Sequence, residues 1–271
     1  MEIVMTEKGY VYKLMGNVYI KTDNYEIFSN LGTYYEDMGV SELSGNVIVR
    51  SKDYIIKSEY LKHIQKSDDI YLKGNVYLED SIRIIKAMEI SVKNNFSTAK
   101  GNVYIYLKDK RVLATGDSGN YDLNKKEGNI YKVKSIMIFR ENDTIKISAN
   151  EVYIYKENFK LKPLNSLKTS NEFAKGDSLT YQKDSLEKIT IYNNAYIKWE
   201  DGEGEADTIV IFYKDSKIES AEFINNASVK TRSNDEEIIV NSKLVSAKFS
   251  EGKIKKVACR ELIEGFTEKI K

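Results

Sequence analysis

Few residues in this chain could do chemistry, and their spacing narrows them further. Gly-Asp-Ser occurs twice, at Gly116-Asp117-Ser118 and Gly176-Asp177-Ser178, a word in which serine could attack an ester. Such a serine needs an imidazole base, which in Gly-Asp-Ser esterases lies downstream. His63 is the only histidine and precedes both copies, so the two words read as strand starts and His63 as an exposed strand residue. Glu200, Asp201, Glu203, Glu205 and Asp207 pack five carboxylates into eight residues and raise the question of calcium. Their spacing does not match an EF-hand loop, and Asp201-Gly202 is a strong hairpin-turn signal. No pair among the plentiful carboxylates stands out as the two acids of a glycoside hydrolase. Cys259 is the single cysteine, which leaves no disulfide framework and no cysteine zinc site. The sequence therefore assigns no catalytic residue, metal or cofactor, and the expectation is a protein that is not an enzyme.

The elements that would position any site are repeated ones. Gly-Asn-Val opens a short alternating run at 16, 45, 74 and 101, with Gly-Asn-Ile at 128 and worn copies, Asn-Asn-Ala, at 193 and 225. The first five glycines are separated by 29, 29, 27 and 27 residues. A fixed period of this length marks units that bury an apolar face only by stacking on their neighbours. Between the glycines a second word recurs, a small residue and a polar one before another alternating run: Lys57-Ser58-Glu59-Tyr60, Lys86-Ala87-Met88-Glu89, Gly116-Asp117-Ser118 and Ala149-Asn150-Glu151. Each unit of 27 to 30 residues thus supplies about two strands, and seven to nine units would give roughly 14 to 18 strands.

Composition agrees with strands. The 271 residues include 20 Tyr, many Ile and Val, and one proline, Pro163. Net charge is +1, with Lys and the acids interleaved throughout, which argues against nucleic acid as a partner. No run approaches the roughly 20 apolar residues of a membrane helix, and Met1–Lys13 lacks the apolar centre of a signal peptide. The repeat starts by about residue 10, so a missing upstream stretch is expected.

Alternation after Gly-Asn places Val18 and Ile20 on one face, and likewise Val47 and Val49, Val76 and Leu78, Val103 and Ile105, and Ala195 and Ile197. Tyr19, Ile48, Tyr77, Tyr104 and Tyr196 take the other face. Gly-Asn itself fits a turn or bulge that needs positive φ. The tail departs from the alternating pattern, with Leu262, Ile263, Phe266 and Ile270 spaced as on a short helix, expected to cap an open sheet end. The expected organisation is a repeat block over 1–156, an irregular join over 157–173 around Pro163, a continuing block over 174–256 and a capping segment over 257–271.

Gly-Asn-Val strands alternating with words such as Ala149-Asn150-Glu151-Val152-Tyr153, Gly176-Asp177-Ser178-Leu179-Thr180-Tyr181 and Ala206-Asp207-Thr208-Ile209 resemble the OstA-like family. That family includes lipopolysaccharide transport protein A, the periplasmic part of protein C and the N-terminal domain of protein D. The resemblance covers most of residues 9 to 250. It implies an elongated, repetitive antiparallel β-jellyroll opened into a V, whose apolar groove carries the acyl chains of lipid A. On that reading Val18, Ile20, Val47, Val49, Val76, Leu78, Val103, Ile105 and Ile197 line the groove. Lipopolysaccharide is then the ligand, and other transport proteins, or further copies of the chain, are partners through edge-strand pairing. The location is periplasmic, associated with the outer membrane. The chain is longer than the shortest bridge proteins and shows no secretion signal. A different outcome stays open: the Val and Ile positions could form an ordinary dry core, in a structural β-solenoid scaffold or filament subunit that binds no lipid.

Overall fold

The computed structural model describes residues 1–6, 9–155, 158–183, 187–233 and 236–269. Every element is a β-strand, and no helix occurs among the described residues. The chain divides into two compact units, Met1–Lys132 and Val133–Lys271. The first contains β1 (Glu2–Thr6), β2 (Gly9–Lys21), β3 (Tyr25–Tyr35), β4 (Val40–Ser51), β5 (Tyr54–Ile64), β6 (Asp69–Asp80), β7 (Arg83–Lys93), β8 (Phe96–Leu107), β9 (Val112–Asp122) and β10 (Glu127–Tyr131). Each pairs antiparallel with the next. The second contains β11 (Ser135–Phe139), β12 (Thr144–Tyr155), β13 (Asn158–Lys168), β14 (Phe173–Lys175), β15 (Ser178–Lys183), β16 (Glu187–Trp199), β17 (Gly202–Lys214), β18 (Lys217–Ser233), β19 (Glu236–Ser250) and β20 (Lys253–Lys269). It is also an antiparallel meander, in which β14 and β15 follow one another between β13 and β16.

The repeated Gly-Asn pair is the corner of β2, β4, β6 and β8. Ladder register shifts between Ser44 and Val47, Lys73 and Val76, and Lys100 and Val103, so that Gly-Asn is the excess of a β-bulge. At Gly74 and Asn75 the φ angles are 79° and 47°, and the same left-handed pair recurs at each Gly-Asn corner from 16 to 102. Glycine is required at Gly74 for a second reason, because a Cβ there would lie 2.7 Å from the Cβ of Glu59, which crosses the corner. Asn75 then donates its side-chain amide to Glu59 Oε1 at 2.8 Å. The worn copies keep the geometry with asparagine at both positions: Asn193 and Asn194 have φ of 54° and 49°. Asn194 and Asn226 donate to Asp177 and Asp207, the acids of the second words.

The second word is the steric complement of the first. Val18, Val47, Val76 and Val103 are paired across the ladder with Ser29, Ser58, Ala87 and Gly116. Large meets small at each of these four bends, which lets neighbouring strands turn the corner together without a clash.

The corners fold each strand over. A flat strand the length of β16, 13 residues, would span about 43 Å. Yet Trp199, at one end of β16, lies edge-on to Phe249 with ring centroids 5.5 Å apart. Phe249 sits at the other end of the sheet, because Tyr213 pairs with Glu187 at the start of β16, and Ser220 pairs with Lys248. The bulge line therefore divides the second unit into two arms whose inner faces meet. In the first unit the same line separates Leu43, Leu61, Leu72 and Ile90 from Val49, and all five belong to one buried core.

Three sequence expectations change. The tail is a strand: Leu262, Ile263 and Phe266 lie on β20, where antiparallel pairing with β19 overrides a helix-like spacing weakened by Gly265; Ile270 lies outside the described residues. Residues 158–168 of the expected join form β13, with Pro163 inside it. The strands number 20 among the described residues, because β10, β11, β14 and β15 are short pieces where the period falters.

Candidate functional site

In the first unit one level of the inner wall is aliphatic from strand to strand. Ile20 pairs with Ile27, Ile27 with Val49, Val49 with Ile56, Ile56 with Leu78, Leu78 with Ile85, Ile85 with Ile105, and Ile105 with Ala114. The row crosses eight strands, β2 to β9, or about 34 Å at the usual interstrand spacing. Val47, Val49, Val76 and Val103 are fully buried in the unit's core, and Ile20, Ile27, Ile56, Ile85 and Ile105 pack against it while staying partly exposed. Val18 is buried and Leu78 half-buried. Eight of the nine residues that the sequence singled out thus lie in this unit. The ninth, Ile197, lies in the second unit and is 1% exposed.

Reading only Gly-Asn strands missed the other half of the row. Ile27, Ile56, Ile85 and Ala114 lie on the intervening strands, each two residues before the small residue of the second word. That offset was available in the sequence, since side chains two apart on a strand share a face.

Polar groups sit at the strand ends above the row. Lys108 donates to Glu79 Oε1 at 2.7 Å, and Arg83 Nε to Asp80 Oδ2 at 2.8 Å. The hydrogen bonds from Lys108 and Tyr77 hold the Glu79 carboxyl below the usual carboxylate range. The Arg83 guanidinium also lies 5.7 Å from the ring of Tyr121 on the opposing arm. On the outer face Lys86 sits between Tyr77 and Tyr104, 5.6 and 5.1 Å from their centroids.

The residues considered for bond chemistry lie in strands and a turn. His63 is half-buried rather than exposed: its partners across the ladder are Ser41 and Ile70, and Ile70 packs on the core. Its Nε2 is 2.8 Å from Asp68 Oδ1. Ser118 and Ser178 lie in the ladders of β9 and β15. The hairpin at the acidic run turns on Glu200 and Asp201, with Gly202 opening β17; Glu203 accepts from Tyr196 and Asp207 from Asn226. Among the described residues, no group of three or more His, Cys, Asp or Glu could hold a metal ion.

The second unit treats the same level differently. Its corresponding row, Ile136, Ile147, Leu167, Ala174 and Ile197, is at most 3% exposed. The row continues to Gly204, where a Cβ would strike the ring of Phe223 from the opposing arm. Phe223, Tyr181 and Tyr213 are among the largest fully buried side chains, and Phe159 stacks on Tyr181 with centroids 4.7 Å apart. Aromatic rings thus fill the space between the arms of this unit. In the first unit the positions that correspond to Phe223, two residues before each Gly-Asn corner, are Leu14, Leu43, Leu72 and Ala99, and the wall stays partly open.

No protein-family model and no curated protein sequence matches the chain.

Proposed function

We propose that this chain is a lipopolysaccharide-binding component of an OstA-like periplasmic transport bridge, and that the first unit holds acyl chains along its aliphatic row. The observation that carries this reading is the row itself: seven Ile, Val and Leu side chains in register across β2 to β8, five of them packed on the core yet still partly exposed. A wall of this kind attracts a guest by taking it out of water, worth about 0.8 kcal/mol per methylene before the costs of association. The polar strand ends, with Lys108, Glu79, Arg83 and Asp80, keep the sugars in water. The reading assigns no bond-making step and no cofactor. Neighbouring transport proteins join through edge strands such as β20, where Leu262, Ile263 and Phe266 are exposed.

Photo-cross-linking amino acids at Ile20, Val49, Leu78 and Ile105 should capture lipopolysaccharide, and the same group at Lys52, which lies in a turn, should not. Absence of adducts at all four inner positions, with the protein folded and lipid present, would remove the transport reading. It would leave the scaffold, which the dry interior of the second unit favours.

A further inference from the structure

The two arms of the second unit are joined across their open ends by five contacts, each linking opposite ends of the strands. Arg140, in the β11–β12 turn, donates through Nη2 to Glu187 Oε1 at 2.9 Å, with side-chain exposures of only 3% and 13%. Its guanidinium lies 3.8 Å from the ring centroid of Tyr213. Tyr213, at the far end of β17, donates its hydroxyl to Glu172 Oε2 at 3.0 Å, and Glu172 belongs to the β13–β14 turn. Lys253 pairs with Asp201 at 3.2 Å, and Trp199 meets Phe249.

The seam is closed but not filled. Arg140 Nη1 and the Trp199 indole nitrogen are buried with no hydrogen-bond partner among the described residues. A cavity of about 250 Å³ persists beside Trp199, lined also by Glu172, Lys217 and Phe249 among others. A seam of polar pairs that leaves donors unsatisfied is held at a cost, which makes it a closure that can be released.

We propose that these contacts form a clasp that holds the second unit shut, and that releasing it parts the arms and admits an apolar guest to an interior that is otherwise dry. The clasp rests on the observed contacts; the class of guest rests on the function proposed for the first unit. Parting the arms needs no loss of the ladders, because the bulge line is a ready hinge between them. Interior access and backbone protection should therefore separate.

The test uses the full chain with Cys259→Ser and one reporter thiol, either Ala174→Cys on the second unit's row or Ala114→Cys on the first unit's. Maleimide labelling of the reporter at 174 should rise on the order of 100-fold when Arg140→Ala breaks the buried pair. Amide protection of β16 and β17 should be retained, and labelling at 114 unchanged. Unaltered labelling at 174, or faster labelling with loss of protection, would overturn the clasp. If Arg140→Ala does not fold, Tyr213→Phe with Glu172→Gln removes the Tyr213–Glu172 hydrogen bond instead, and is expected to change labelling in the same direction. Sodium palmitate then serves as the acyl probe. It should slow labelling at 114 in every variant and at 174 only in the released one. Slowing at 114 alone overturns the gate, slowing at 174 alone overturns the first unit's role, and slowing at neither overturns both.

Discussion

Alanine at two corner glycines would separate two reasons for glycine that coincide in most copies of the repeat. Gly16 and Gly74 have φ of 71° and 79°, so the backbone strain of adding a Cβ is the same at both, about 1–2 kcal/mol. Against it stands a gain of about 0.4–1 kcal/mol from a stiffer unfolded chain, so Gly16→Ala should destabilise by roughly 1 kcal/mol or less. A Cβ at Gly16 meets nothing within 4 Å, whereas at Gly74 it falls 2.7 Å from the Glu59 Cβ. Gly74→Ala should therefore cost a further 1–3 kcal/mol, roughly, for the displaced side chain, and about 1 kcal/mol for the Asn75–Glu59 hydrogen bond. The single tryptophan lies in the second unit, so the assay is urea-dependent hydrogen exchange, followed by mass spectrometry on peptides of β2–β3 and β5–β7. Equal losses for the two variants would refute the crossing side chain as the second reason. No loss in either would refute the strained corner. Gly16→Asn should be close to neutral, since asparagine takes the same place at Asn193.

Removing the ring that spans the second unit, with Phe223→Ala, should cost about 3–5 kcal/mol, seen as a lower urea midpoint by Trp199 fluorescence. Burial raises the pKa of Glu172, opposed by the Tyr213 hydrogen bond and the charge of Arg140 and reinforced by nearby Asp143. The folded state then holds a proton that the unfolded state releases above the ordinary carboxylate range. The second unit should lose stability as pH rises through the raised value, be unaffected by this group below the unfolded one, and show a flatter profile in Glu172→Gln, measured by urea midpoints across pH. Acyl binding to the first unit should change little between low and high salt, because burial rather than charge drives it; a steep fall with salt, followed by fluorescent fatty-acid titration, would point to a headgroup-reading site.

Much of this protein is legible in its sequence because the signals are local. Strand character follows from alternation and from the near absence of proline. The corners follow from Gly-Asn, since consecutive left-handed residues are open to few side chains, and the shared facing of Val47, Val76 and Val103 follows from constant parity after each corner. Even the partners of those valines are written two residues beyond Ile56, Ile85 and Ala114. What the sequence could not determine is how far the arms close. Ile20 and Ile197 occupy the same place in the repeat, yet one is partly exposed and the other is sealed. The difference comes from residues far away along the chain: Phe223 reaching Gly204, Arg140 reaching Glu187, Tyr213 reaching Glu172. Local periodicity is blind to these pairings, because they form only after the bulges have folded each strand back on itself. The spacing of Leu262, Ile263 and Phe266 misled for the same reason, since β19 offers that segment a ladder of hydrogen bonds that a helix would have to forgo.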